Sequence, residues 1–448
     1  MKSKLLALLF VVAVGAGIWK TWLSSQPVDV ANGIKNRVSN SKEASIALVP
    51  QKGDELIDDS IRTLQKEARA NNQSPQVMKR LGWAFVRKAR LSYDPGYYKL
   101  AEQCALAVEC RHADDPDALL LQGHILQSLH KFKEAEPIAR KLIKVRNESA
   151  DRGLLGDVLM EQGRLSEAIT AYQDMVNLRP DLQSYTRIAH LRWLKGNLEG
   201  AIGVIELAVT GASPREPEPG AWAYTRMGIY ALQAGQLQVA ESSAAFALEY
   251  VDHYPPALLL RGRVFLTMGK RAEGLESLRQ AATLNPLPEY QWLLADALRE
   301  AAKPADAEAV EQELISTGEA NDPRTFSLFL ATRRQRLQEC LHLALEEVKT
   351  REDVFTMDAL AWALRANGQA AKALEYSQRS LAEGTQDARL FYHAGCIARD
   401  SGRNAEASNL FSRADAIKQM LFPSERTDLT QQFAALQEIG APRSRAQQ

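Results

Sequence analysis

Cysteine and histidine come closest together at Cys110 with His112 and at Cys340 with His342, two positions apart in each case. On a helix that offset turns one side chain about 200° from the other, so neither pair closes on a single ion. Acid–base chemistry needs two carboxyl groups held in different environments. The adjacent acids Asp58–Asp59 and Asp114–Asp115 read instead as helix-start or solvated residues. The chain has no G-x-x-x-x-G-K-[ST] or G-x-G-x-x-G loop to cradle phosphate, no H-E-x-x-H, no G-x-S-x-G and no C-x-x-C-H. Arg333, Arg334 and Arg336 form a basic run that reads as a solvated helix end. No catalytic residue, cofactor or metal site is therefore expected.

The totals point the same way. The 448 residues are 46% hydrophobic, enough for two or three globular domains or one elongated array. Lys plus Arg and Asp plus Glu both number 55, so no overall field draws the chain toward nucleic acid, and no nucleic-acid partner is expected. Four cysteines, at 104, 110, 340 and 396, are too few and too scattered for a disulfide framework and read as small packing residues.

The first residues, "MKSKLLALLFVVAVGAGIWKTWL", place Lys2 and Lys4 before fifteen uncharged residues from Leu5 to Trp19. This is the form of a secretory signal peptide or a signal anchor over 1–23. Val14-Gly15-Ala16 offers a cleavage site. Trp19 and Trp22 around Lys20 suit a membrane interface, so a retained transmembrane anchor through residues 5–23 stays open beside a cleaved peptide. Fifteen residues rise only about 22 Å against a hydrocarbon core of about 30 Å, so an anchor must run on to Leu23. Either reading places the body outside the cytoplasm, in the periplasm or tethered to the membrane. Residues 24–53 read as a polar tether. Residues 54–74 hold a capping helix with Leu56, Ile57, Ile61, Leu64 and Ala68 on one face.

A repeat governs the rest. A small or apolar residue recurs at Gly82, Gly123, Gly156, Ala189, Gly228, Gly262, Ala295, Leu328, Ala361 and Gly395, mostly 33 or 34 residues apart, with insertions at 91–98 and 213–220. Seven positions on, glycine recurs as Gly163, Gly196, Gly235, Gly269, Gly368 and Gly402, where a tight turn joins two helices. Five further on the residue is again small, as at Ala168, Ala201, Ala240 and Ala373. The spacing describes two antiparallel helices, A and B, whose contact point carries almost no side chain. Overpacking such a contact costs about 1–3 kcal/mol, more than the roughly 1 kcal/mol that glycine costs a helix. The larger Tyr172, Ile205, Leu278 and Phe411 read as filling between one hairpin and the next, and Pro180 and Pro286 follow helix B and stop it.

The set "GDVLMEQGRLSEAITAYQDMVNLRP" at 156–180, repeated with variation over about 75–418, resembles the tetratricopeptide repeat family. The resemblance implies an all-α, right-handed superhelical solenoid of about ten hairpins, closed by a C-terminal capping helix and polar tail over 419–448. The units around Ala295 ("AAKPADA") and at 322–352, with Leu328 and Gln335, depart from the pattern. The layout, including "GWAFVRKARLSYDPGYYKLAE", is similar to exported bacterial members of the family.

In that family helix A lines a concave groove, which selects Arg187, His190, Trp193, Trp222, Arg226, Arg263, Trp292, Asp296, Asp358, Trp362, Arg365, Tyr392 and Arg399 as protein-binding residues. Arginine and large aromatics commonly anchor interfaces. For Trp193, Trp222 and Trp292, packing between hairpins is an equal alternative. At the ninth position of seven of the units stand His124, Asp157, His190, Ile229, Arg263, Asp296 and Trp362, with no asparagine, so the family's clamp for a C-terminal carboxylate is not implied. The resulting expectation is a non-catalytic scaffold or adaptor that binds a protein or extended peptide. A self-assembling structural solenoid and an enzyme with a site built from distant helices are the alternatives.

Overall fold

The computed structural model describes residues 41–53 and 55–440, so the expected signal or anchor over 1–23 lies outside the described residues. Among the described residues 23 α-helices form and no strand. In chain order they are α1 (Lys42–Ala47), α2 (Leu56–Ala70), α3 (Pro75–Ser92), α4 (Gly96–Glu109), α5 (Pro116–Ser128), α6 (Phe132–Val145), α7 (Ser149–Glu161), α8 (Leu165–Leu178), α9 (Leu182–Leu194), α10 (Leu198–Thr210), α11 (Pro217–Gln233), α12 (Leu237–Tyr250), α13 (Pro255–Thr267), α14 (Arg271–Leu284), α15 (Pro288–Glu300), α16 (Pro304–Asn321), α17 (Pro323–Arg333), α18 (Leu337–Thr350), α19 (Val354–Ala366), α20 (Ala370–Leu381), α21 (Ala388–Asp400), α22 (Asn404–Ala416) and α23 (Pro423–Gly440). None of them is long and apolar enough to cross a membrane. The chain divides into two compact units, one ending at Leu121 and one beginning at Gln122, so a boundary falls inside the stretch that the repeat marks as continuous.

In the first unit α1 packs on α4 and α2 on α3. The segment expected to be a tether thus contains a docked helix. Its Ala44 and Ala47 are buried, and Gln65 of α2 donates to the carbonyls of Ala47 (3.0 Å) and Val49 (2.8 Å). On α2, Ile57, Ile61, Leu64 and Ala68 are buried as expected, but Leu56 is 86% exposed because it opens the helix beyond its apolar face. The insertion at 91–98 lengthens α3 to Ser92. Tyr93 then turns left-handed (φ 54°), and the Asp94 carboxylate accepts from Gly96 N–H at the start of α4.

The second unit is a run of hairpins in which helix A packs on helix B and helix B on the next A. All six glycines at the inter-helix turn have φ between 72° and 78°, the left-handed region that side chains disfavour. Where glycine is missing the turn persists: His130 (φ 57°) and Ala302 (φ 56°) take the position, and Arg334 and Arg336 share it in the divergent hairpin α17–α18. Asp181, Asp322, Asp353 and Asp387 cap helices α9, α17, α19 and α21 through their carboxylates.

The large residues at the B position pack differently from the expectation. Tyr172, Leu278 and Phe411 lie over Gly156, Gly262 and Gly395 of their own hairpins, where an added Cβ would overlap them. At Gly123 and Gly228 the overlap is instead with Leu154 and Leu260 of the next hairpin's helix A. The cysteines also divide: Cys104, Cys340 and Cys396 are buried, whereas Cys110 is exposed just past the end of α4.

Candidate functional site

The last-turn carbonyls of a helix lack intrahelical donors and must find partners outside it. In the second unit, several at the ends of α7, α9 and α11 are met by loops from later hairpins. Glu352 N–H donates to Glu161 O (3.0 Å), Thr385 Oγ1 to Leu194 O (2.6 Å), and Gln419 Nε2 to Leu232 O (3.2 Å) and Gln233 O (2.9 Å). Gln233 in turn donates to Gln386 O (2.5 Å), and Arg263 to Met420 O (2.6 Å). Glu352, Gln386 and Met420 follow one another at one repeat length, 34 residues. Each loop therefore meets the earlier hairpins in step. Gly163 and Gly196 allow the approach, because a Cβ on either would run into the Glu352 or the Gly384 carbonyl. Lys195–Glu383 (2.7 Å) adds an ion pair, and Trp193 stacks on Phe355 at 5.9 Å between centroids.

Along this seam a cavity of about 680 Å³ remains. Met160, Leu194 and Phe355 supply apolar wall, and Glu161, Arg164, Arg324 and Arg379 supply charge. Most of the charge is answered within the chain: Arg164 by Glu136 (2.7 Å), Arg324 by Asp353 (3.4 Å) and Arg379 by Glu352 (3.1 Å). Glu161 faces Arg351 only at 3.8 Å, and burial raises its carboxyl pKa above the usual range. His190 also lines the cavity. Burial and the neighbouring Arg226 lower its pKa to about 3, so it is a neutral acceptor at physiological pH.

The residues singled out on helix A fall into three groups. Arg187, His190, Trp193, Trp222 and Arg226 stand together on α9 and α11. Arg187 forks onto Asp157 (2.7 Å to each oxygen), and Tyr172 donates to the same carboxylate at 2.8 Å. Trp193 is buried and donates to Gln233 (2.8 Å), while Trp222 is 38% exposed.

Arg263, Trp292 and Asp296 hold the chain's own C-terminal segment. Trp292, with no exposed surface, meets Phe422 edge-on at 5.0 Å. Buried Asp296 accepts from Ser424 N–H (3.0 Å) and pairs with Arg333 (2.5 Å). The basic run expected to be solvated therefore gives one residue, Arg333, to the interior, because α17 points it at Asp296 and Glu311.

The third group turns on Asp358, Trp362, Arg365, Tyr392 and Arg399. Asp358 binds buried His393 at 2.8 Å, and Trp362 stacks on that imidazole at 3.9 Å and donates to Thr332. Tyr392 donates to Asp428 (2.6 Å), and Arg365 and Arg399 share Asp400. Most of these side chains thus face partners inside the fold. The sealing residues Glu352, Thr385, Gln386 and Gln419 escape sequence reading because they act through backbone groups and ordinary polar side chains.

What the fold and site define is a repeat-built scaffold of helix hairpins. The tetratricopeptide repeat model matches residues 120–182, 154–217 and 259–323. These stretches are tetratricopeptide repeats, and such repeats build protein-interaction scaffolds. No curated protein matches the sequence. Among solved structures it is similar to the human IFIT1 dimer with PPP-AAAA, at 14% identity over 72% of this chain and 78% of that one, with a TM-score of 0.47. It is also similar to PilF of Pseudomonas aeruginosa (15% identity, 48% of this chain and 96% of that one, TM-score 0.38) and to the Cut9–Hcn1 hetero-tetramer (12%, 89% and 99%, 0.35).

Proposed function

We propose that the protein is a non-catalytic adaptor outside the cytoplasm that holds a segment of a protein partner at the inner face of its second unit. The observation that carries this reading is the cavity of about 680 Å³ left along the seam. It has the size and the mixed apolar and charged lining of a ligand site. The chain's own loops cover the inner face from Glu161 to Asp296, so a partner reaches it as a short segment in the cavity and not as a peptide laid along an open groove. The form of residues 1–23 supports export.

Photo-crosslinking in intact cells tests the reading. A photoreactive residue at Gln162 or Ala382, both on the cavity wall, is expected to form an adduct with one and the same protein. Probes at the exposed Leu207 and Phe246 serve as controls and are expected to form none. Adducts from Leu207 and Phe246 alone would place the interaction elsewhere on the molecule.

A further inference from the structure

Most buried or half-buried arginines around the inner face of the second unit are answered by a carboxylate of the chain. Arg187 has Asp157, Arg333 has Asp296 and Glu311, Arg365 has Asp400, and Arg389 has Glu425. Arg263 lacks one, but its guanidinium is closed off by the Met420 carbonyl. Arg226 on α11 is different. Among the described residues no carboxylate lies within ion-pairing distance of it, and its buried Nε has no hydrogen-bond acceptor. Its contacts are Nη2 to His190 Nδ1 (3.0 Å) and to the Tyr230 hydroxyl (3.3 Å). Three rings surround the guanidinium carbon: Tyr230 at 5.2 Å, Trp193 at 5.8 Å and Trp222 at 6.0 Å. Aromatic faces attract a cation but do not neutralise it. The imidazole beside it is neutral and adds no negative charge.

A half-buried cation without a counter-charge is costly, and the cost falls away when an anion arrives. Trp222 keeps 38% of its surface in solvent, which leaves one side of the cluster open. We propose that Arg226, framed by Trp222, Trp193, Tyr230 and His190, is the docking point for a side-chain carboxylate in an acidic segment of the partner. A glutamate or aspartate accepts from Nη1, which is not among the buried nitrogens and is left over by the bonds of Nη2 to His190 and Tyr230, and the segment's neighbouring apolar residue covers the Trp222 ring. A guanidinium and a carboxylate make the strongest class of neutral-pH hydrogen bond. The site borders the cavity through His190, which lines both. The inference rests on the adaptor reading and adds the chemistry of what is held.

The test uses the full chain and a synthetic peptide, acetylated and amidated at its ends, with two glutamates flanked by phenylalanines. Its control carries glutamine in place of glutamate. The glutamate peptide is expected to bind, to shift the ¹⁵N signal of Arg226 Nε–H and the His190 ring signals, and to weaken as salt is raised. The glutamine peptide and the variant Arg226→Gln are each expected to weaken binding about 10- to 100-fold. Trp222→Ala, at an exposed ring, provides a second variant and is expected to weaken binding while helical content is kept. Equal binding of the two peptides, or an Arg226 signal that does not move, overturns the proposal. So does an equal response to the same concentration of acetate or inorganic phosphate, which would make this a free-anion site. A cavity crosslink that survives Arg226→Gln would leave the adaptor standing and remove only this docking point.

Discussion

Replacing Glu425 with alanine is expected to lower the stability of the second unit by about 3–5 kcal/mol. Glu425 has no exposed surface, and its two oxygens hold Arg389 at 2.6 and 3.1 Å while also accepting from Phe422 N–H at 2.8 Å. Arg389 in turn lies over the Phe422 ring at 4.4 Å and the Trp292 ring at 5.1 Å. Removing the carboxylate leaves a largely covered guanidinium without its ion-pair partner. Replacing both members, as Glu425→Ala with Arg389→Met, is expected to restore part of the loss, because the larger penalty belongs to the orphaned charge. The pair also sets an acid limit. Although burial opposes it, Arg389 holds the Glu425 carboxyl below the ordinary glutamate range. A carboxyl depressed on folding stabilises the folded state above its unfolded pKa and stops doing so as pH falls through the folded value. Urea unfolding of the wild type should therefore weaken below the usual glutamate range, and the double variant should lose that component of the slope. A wild-type-like midpoint for Glu425→Ala would show that the pair does not form.

Gly156→Leu is expected to cost about 3 kcal/mol, read as an earlier urea midpoint. The leucine Cβ would overlap the Tyr172 ring, which has nowhere to retreat because it is itself buried. Overpacking a filled interior costs about 1–3 kcal/mol. Moving Tyr172 also breaks its hydrogen bond to the Asp157 carboxylate, which Arg187 shares, and bonds of that kind contribute about 1.5–3 kcal/mol. Adding Tyr172→Ala to Gly156→Leu should recover part of the stability by opening the overlap. If Gly156→Leu alone leaves the midpoint unmoved, helices α7 and α8 do not meet at this point.

The repeat could be read from the sequence because steric rules write it into residue type. A helix crossing that admits no side chain demands glycine or alanine, and a left-handed turn favours glycine, so Gly156, Gly163 and Ala168 announce one hairpin between them. Even where the turn glycine is absent, as at Ala302 and Arg334, the flanking periodicity carries the pattern through. The fate of the inner face could not be read in the same way. The small rotation from one hairpin to the next is set by many packing contacts, and its sum decides whether residue 352 returns to residue 161. The groups that make the closure are the carbonyls of Glu161, Leu194, Gln386 and Met420, which every residue type possesses. Position within a repeat thus singled out Arg263, Trp292 and Asp296 on helix A but gave no sign that residues 419–425 of the same chain would lie against them. Arg226 was marked by type and place alone. That it lacks a carboxylate is visible only once its neighbours are known.

Zero-length carbodiimide crosslinking of the unmodified protein, followed by peptide mass spectrometry, tests the closure of the second unit most directly. Lys195 and Glu383, 188 positions apart in sequence and 2.7 Å apart in the fold, are expected to join in an amide bond as readily as the neighbouring-hairpin pair Lys270–Glu241 at 2.8 Å. A Lys270–Glu241 product without any Lys195–Glu383 product would mean that the hairpins form an open array, and that neither the seam nor the cavity along it exists in solution.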